Sequence, residues 1–219
     1  MTNIDEKQFE GLSEKEKQYA LKILSEFSET GKSRTFDNLI YADYQEIPVD
    51  IVTFLKDERY LGNAWRDSSG NFKLYPFWEE KLKELFPDNL STSVNNFIES
   101  GARGLGKSEI AVTAMAYLMY RLMCLKDPHQ YLHLKPTEKV VFAFMNISMT
   151  AVEQIAWSKF QRTVQSSPWF LERGTITGTQ NIVWNPPDWI QLIIGSQSRH
   201  VIGLPIYAAF FDEISFIQN

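Results

Sequence analysis

The stretch Gly101-Ala-Arg-Gly-Leu-Gly-Lys-Ser108 constrains the fold of this chain more than any other. It fits G-x-x-x-x-G-K-[ST] at every fixed position, the pattern of a loop that cradles nucleotide phosphates. Such a loop works between a strand and a helix, because the helix N-terminus supplies N–H groups that have no partner of their own. The flanks meet that requirement. Val94-Asn-Asn-Phe-Ile98 predicts a short strand, and Glu109 to Leu125 predicts a helix.

In this reading Gly101, Gly104 and Gly106 let the backbone curl, so that the N–H groups of Gly101 to Ser108, with Ala102 and Leu105 among them, point at phosphate oxygens. Lys107 reaches the β- and γ-phosphates of ATP as a mobile charge, and Ser108 gives its hydroxyl to Mg²⁺. Arg103, inside the loop, adds a second cation near the γ-phosphate. The bland alternative is a glycine-rich turn with an incidental Lys-Ser pair.

A second element supports the nucleotide reading. Ile206-Tyr-Ala-Ala-Phe-Phe-Asp-Glu213 predicts a buried strand ending in two acids, 105 residues beyond Lys107. The acid at such a strand end holds Mg²⁺ in P-loop nucleotidases, a role that falls to Asp212. Glu213 is placed to orient and deprotonate the attacking water.

The rest of the chain reads as two regions. Residues 1–90 are mainly helical, with predicted helices at Leu12 to Glu29 (a Ser13–Glu16 capping box, Gly31 as stop), around Phe36 to Tyr44, from Pro48 through Lys56, and from Phe77 to Leu85. In the first of these Tyr19, Ala20, Ile23, Leu24 and Phe27 share one face. Residues 91–219 alternate strand and helix: a strand at Lys139 to Ile147, a helix at Thr150 to Gln165, a hairpin around Gly178, and strands at Trp189 to Ile194 and Ile206 to Phe211. That alternation predicts an α/β fold, a parallel-type sheet of the RecA-like kind flanked by helices, preceded by a helical lid.

Composition narrows the function classes. The chain has 219 residues and a net charge of −5, with 12 Lys/Arg against 18 Asp/Glu in residues 1–90 and 10 against 9 thereafter. No basic stripe marks a stable, sequence-specific DNA binder, though a motor that grips its track transiently needs none. The single cysteine, Cys124, reads as a small apolar residue inside the helix after the loop. His129, His133 and His200 form no metal set, and the prolines at 128 and 136 predict loop around the first two. No apolar run is long enough to cross a membrane, and the polar N-terminus is not a signal peptide.

With these motifs in place the chain resembles the large terminase subunit of tailed bacteriophages, the motor that packages DNA into a capsid. Leu74-Tyr-Pro-Phe-Trp-Glu-Glu-Lys-Leu-Lys-Glu-Leu-Phe-Pro87 is similar to that family's lead-in to the ATPase, and Tyr75, Phe77 and Trp78 match its adenine-side segment by position. Glu99 to Ser108, with Arg103, resembles its P-loop. Gly195 to Leu204 followed by Phe211-Asp-Glu-Ile-Ser215 looks like its approach to the acidic strand, with Arg199 a candidate for contacting phosphate or a neighbouring subunit.

The resemblance implies ATP and Mg²⁺ as cofactors. It also implies transient backbone contact with double-stranded DNA, a homo-oligomeric ring, a portal protein and small terminase subunit as partners, and a location in the bacterial host cytoplasm and at the procapsid portal. The sequence given stops six residues after Glu213, so an incomplete ATPase core without the family's nuclease domain is expected. Two other readings share the same motifs: a superfamily 2-type helicase or translocase, and a fragment that binds nucleotide without turnover.

Overall fold

The computed structural model describes residues 11–101, 104–146, 148–178, 182–186, 189–196 and 201–213. Contacts divide the chain into a unit ending at Ile47 and a unit beginning at Pro48, so the boundary expected near Leu90 lies inside the second unit.

The first unit is a helix pair, α1 (Glu14–Thr30) and α2 (Arg34–Ile40). Ser13 and Glu16 close the predicted capping box, and Gly31 ends α1 in the left-handed conformation. The predicted apolar stripe of α1 is not buried: Tyr19, Leu24 and Phe27 are exposed, and Phe27 meets Phe36 edge-on at 5.8 Å. Polar ties hold the pair instead. The Glu26 carboxylate accepts from Ser33 Oγ (2.7 Å), Thr35 N (2.9 Å) and Thr35 Oγ1 (2.7 Å). These bonds, that from the Thr35 N–H first, lower its pKa to about 2.

The second unit opens with α3 (Ile51–Lys56), capped by Asp50, a single 3₁₀ turn at Gly62–Trp65, and α4 (Pro76–Leu85), which begins on the predicted proline. Next come α5 (Lys107–Met123), the helix after the glycine loop, and the short α6 (Pro128–Tyr131). Strand β1 (Val140–Met145) leads into α7 (Met149–Ala151), a π turn at Val152–Trp157, and α8 (Ser158–Gln165). Then come α9 (Pro168–Leu171), β2 (Thr175–Thr177), β3 (Ile182–Asn185), β4 (Ile190–Gly195) and β5 (Ile206–Phe211).

The loop expected at His129 is the short helix α6, since Asp127 caps it and Pro128 sits at its first position. Ser167 and Pro168 start α9 the same way.

The five strands form one sheet in the order β2-β3-β4-β1-β5. β1 pairs in parallel with β4 and with β5, and β2 and β3 extend the sheet antiparallel from β4. The fold is thus α/β with a mixed sheet whose centre is parallel. β1 is buried at every residue, as its apolar run Val-Val-Phe-Ala-Phe-Met requires. Val141, Ala143 and Met145 pack with Ile193 and Val201 on one face. Phe144, on the other face, meets the tilted ring of Phe160 of α8 at 4.8 Å and Trp157 at 5.8 Å.

α5 is buried along most of its length, Cys124 at its end included. Its tyrosines hold the start of the second unit: Tyr117 Oη donates to Val49 O, and Val49 N donates to Tyr120 Oη, each at 2.8 Å. Each such fully buried large side chain contributes about 1.5–3 kcal/mol.

A further sequence expectation fails in the segment before the glycine loop. Val94 to Ile98 is not a strand but irregular chain, with Ile98 82% exposed. A strand exists only by pairing, and no described segment forms a ladder with these residues. The segment is nonetheless anchored just upstream, where Arg121 Nη1 donates to Ser91 O (2.8 Å) and to Thr92 Oγ1 (3.2 Å).

Candidate functional site

The parallel strands β1, β4 and β5 end together, and in open α/β sheets the crevice beyond these carboxyl ends is where ligands bind. The first turn of α5 reaches that same end. Glu109 pairs with Lys159 at the start of α8 at 2.7 Å, and α8 follows β1 through the π turn. The pair sets the first turn of α5, just after the glycine loop, beside the helix that follows β1.

The loop arm is built by backbone conformation. Gly106 lies at φ 87 as the N-cap of α5, and Gly104 at φ 83. A Cβ on Gly106 would also sit 3.3 Å from Trp78 Nε1, so both angle and space select glycine there. Among the described residues no side chain caps α5, so its first N–H groups remain directed at whatever lies before the helix. Lys107 Nζ donates to Gly101 O at 2.8 Å, across the mouth of the loop. Ser108 follows in the first turn, half-buried. These features fit a phosphate group with its Mg²⁺. Ala102 and Arg103 lie outside the described residues, as does Arg199.

Two further groups bear on the loop. Trp78, in the first turn of α4, donates its indole N–H to Leu105 O at 2.6 Å. A trans peptide directs its C=O and the following N–H in opposite senses, so fixing the Leu105 carbonyl also fixes where the Gly106 N–H points. Tyr75 and Phe77 are 69% and 58% exposed beside it, open to a flat ligand. Glu99, just before the loop, is half-buried, and among the described residues its Oε1 has no hydrogen-bond partner. Burial, opposed in part by the Lys107 charge, raises its pKa to about 7.

The acid arm ends β5. Asp212 N donates to Met145 O at 2.9 Å, and Asp212 Oδ1 accepts from Glu213 N at 3.0 Å. Glu213 lies at φ 57, a left-handed conformation that costs a residue with a Cβ roughly 1–2 kcal/mol. Strain of this kind gathers at active sites.

One buried group was not foreseen. Asn146, the residue after β1, is 3% exposed, and among the described residues neither Oδ1 nor Nδ2 has a hydrogen-bond partner. The sequence carried a faint signal for it, a lone amide closing an unbroken apolar strand. The Trp78–Leu105 bond had none, because it joins residues 27 apart through tertiary packing.

Among the described residues no group of His, Cys, Asp and Glu could hold a metal ion by itself, so a metal here depends on Ser108, Asp212 and the ligand's own oxygens. No described helix is long and apolar enough to cross a membrane. No curated protein and no solved structure matches the chain. The sequence does match the family described as "Uncharacterized protein MJ0330, N-terminal P-loop domain" over residues 12–215. Matched over most of its length, with the glycine loop at the start of α5, the chain belongs to this family of P-loop domains, a class whose loop cradles nucleotide phosphates.

Proposed function

We propose that the protein is a Mg²⁺-dependent ATPase. The observation that carries the reading is the N-terminus of α5, with its left-handed glycines and Lys107, paired through Glu109 and Lys159 with the helix that follows β1; Asp212 and Glu213 at the end of the neighbouring strand β5 support it. The loop N–H groups and Lys107 bind the phosphates, and Lys107 exchanges the Gly101 carbonyl for phosphate oxygen. Ser108 and Asp212 hold Mg²⁺, which supplies neutralising charge on the phosphates. Glu213 takes a proton from the water whose oxygen bonds to the γ-phosphorus, as the bond to the β–γ bridging oxygen breaks and ADP leaves. Tyr75 and Phe77 offer exposed rings to the base.

The finer reading is the ATPase of a DNA-packaging motor of the large terminase type, acting on double-stranded DNA in a ring with portal and small-subunit partners in the host cytoplasm. The likeness of Leu74 to Pro87, Glu99 to Ser108 and Phe211 to Ser215 to that family supports it.

Hydrolysis measured with and without Mg²⁺ tests the ATPase. Wild type is expected to turn over only with the metal. Glu213→Gln should lose at least about 100-fold in rate while ATP affinity stays within about threefold. Equal rates in the two proteins remove Glu213 from the reaction. For the motor reading, linear double-stranded DNA should raise the rate severalfold; no response to DNA overturns it.

A further inference from the structure

We infer that Asn146 is part of the reacting end of this site: its side-chain amide donates to the terminal phosphate and accepts from the attacking water. The inference rests on the ATPase reading above.

Three observations place it there. Asn146 N still donates to Gly195 O at 3.2 Å, so the β1–β4 ladder runs one residue past the last strand residue. Met145 is in register with Phe211, and Asp212 N donates to Met145 O. Continuing that parallel register sets Asn146 beside Asp212, at the roughly 4.8 Å spacing of neighbouring strands. Side chains alternate along a strand, so Asn146 falls on the face of Phe144 and away from the Val141–Ala143–Met145 face. The Phe144 face is covered by the π turn through Trp157 and by α8 through Phe160, and α8 is the helix whose Lys159 pairs with Glu109 in the first turn of α5. Asn146 therefore lies on the phosphate-loop side of the sheet, next to the acid expected to hold Mg²⁺.

The chemistry selects the ligand. Both amide atoms are buried without a partner among the described residues, an arrangement that native proteins rarely keep without a use. Phosphate oxygens only accept, so they satisfy the Nδ2–H groups and leave Oδ1 unmet. A water satisfies Oδ1 by donating to it. A water poised on a phosphate satisfies both at once. Glu213, one residue beyond Asp212, then removes the proton that Asn146 does not hold.

The test compares wild type with Asn146→Leu, which is nearly isosteric, and with Asn146→Ala. Nucleotide-free melting temperature and affinity for ADP and for ADP with aluminium fluoride and Mg²⁺ are read for each; that complex mimics the phosphate under attack. Asn146→Leu should melt no lower than wild type, since it removes unmet polar atoms. Its ADP affinity should stay within twofold, and its affinity for the aluminium fluoride complex should fall at least tenfold. Loss of ADP affinity in the same proportion, or an unchanged preference for the complex, overturns the inference. A lower melting temperature in Asn146→Leu means that the amide is structural, and overturns it too; Asn146→Ala guards against overpacking, because it must show the same loss of preference. If wild type binds neither ADP nor the complex, the ATPase reading itself falls and takes the inference with it. If wild type prefers the complex and both variants keep that preference, only the inference falls.

Discussion

The two arms of the site adopt the same unusual backbone and treat it in opposite ways. In the loop arm the left-handed position is occupied by Gly106, which meets it without strain. In the acid arm the same region holds Glu213 at φ 57, with a Cβ in the way. In the proposed ATPase the backbone itself is the functional part at Gly106, because its N–H groups would face the phosphates, and a side chain would only obstruct. At Glu213 the side chain is the functional part, and glycine would discard it. The difference separates binding from turnover: loop changes should act on affinity, and acid-arm changes on rate.

Removing the loop charge should give the largest effect. Lys107→Ala is expected to weaken ATP about 100-fold by titration calorimetry, the scale of losing a charge-assisted phosphate contact. A change in rate alone would break the division between the arms. Next come the two left-handed positions. Gly106→Ala should lower unfolding free energy by about 1–2 kcal/mol in a denaturant titration, and the Trp78 contact at 3.3 Å adds crowding. Glu213→Gly should raise it by roughly 0.5–1 kcal/mol, strain relief less the added chain entropy, while hydrolysis stops. Opposite signs sharpen the comparison; two losses would erase it.

Trp78→Phe keeps a ring and deletes the N–H to Leu105 O. It should raise the Kd for ADP and ATP alike about five- to tenfold, with kcat retained. A fall in kcat at unchanged Kd would move Trp78 into the other arm.

The smallest effect concerns Glu99. Burial raises its folded pKa from 4.5 to about 7, so the folded chain keeps a proton that the unfolded chain releases. Its neutral form suits the fold below about pH 4.5, and stability is lost as pH climbs from there through about 7. Glu99→Gln should therefore gain melting temperature relative to wild type as pH rises across that window. A difference that stays flat with pH would show that Glu99 does not titrate there.

Much of the site was legible because its signals are local. Glycine spacing, Lys107 and Ser108 specify a loop at a helix start, and α5 begins at Lys107. The capping box at Ser13 and the proline at 76 mark helix starts for equally local reasons. The apolar run from Val140 could only be a buried strand. Val94 to Ile98 misled for a physical reason: strand composition does not make a strand until a neighbour completes the hydrogen bonds. The stripe on α1 misled in the same way, since periodicity shows which residues share a face but not whether anything covers it.

By itself, then, the sequence determined the glycine loop at a helix start, the strand that ends at the acid pair and the α/β alternation, all of which depend on residues close in the chain. Tertiary structure alone decided the strand order that sets β1 between β4 and β5. It also decided the reach of Trp78 to Leu105, the Glu109–Lys159 tie, the unusual protonation of Glu99 and the burial of an unmatched amide at Asn146. Each of these depends on which distant surfaces exclude water from one another, and that is settled only when helices and sheet have packed.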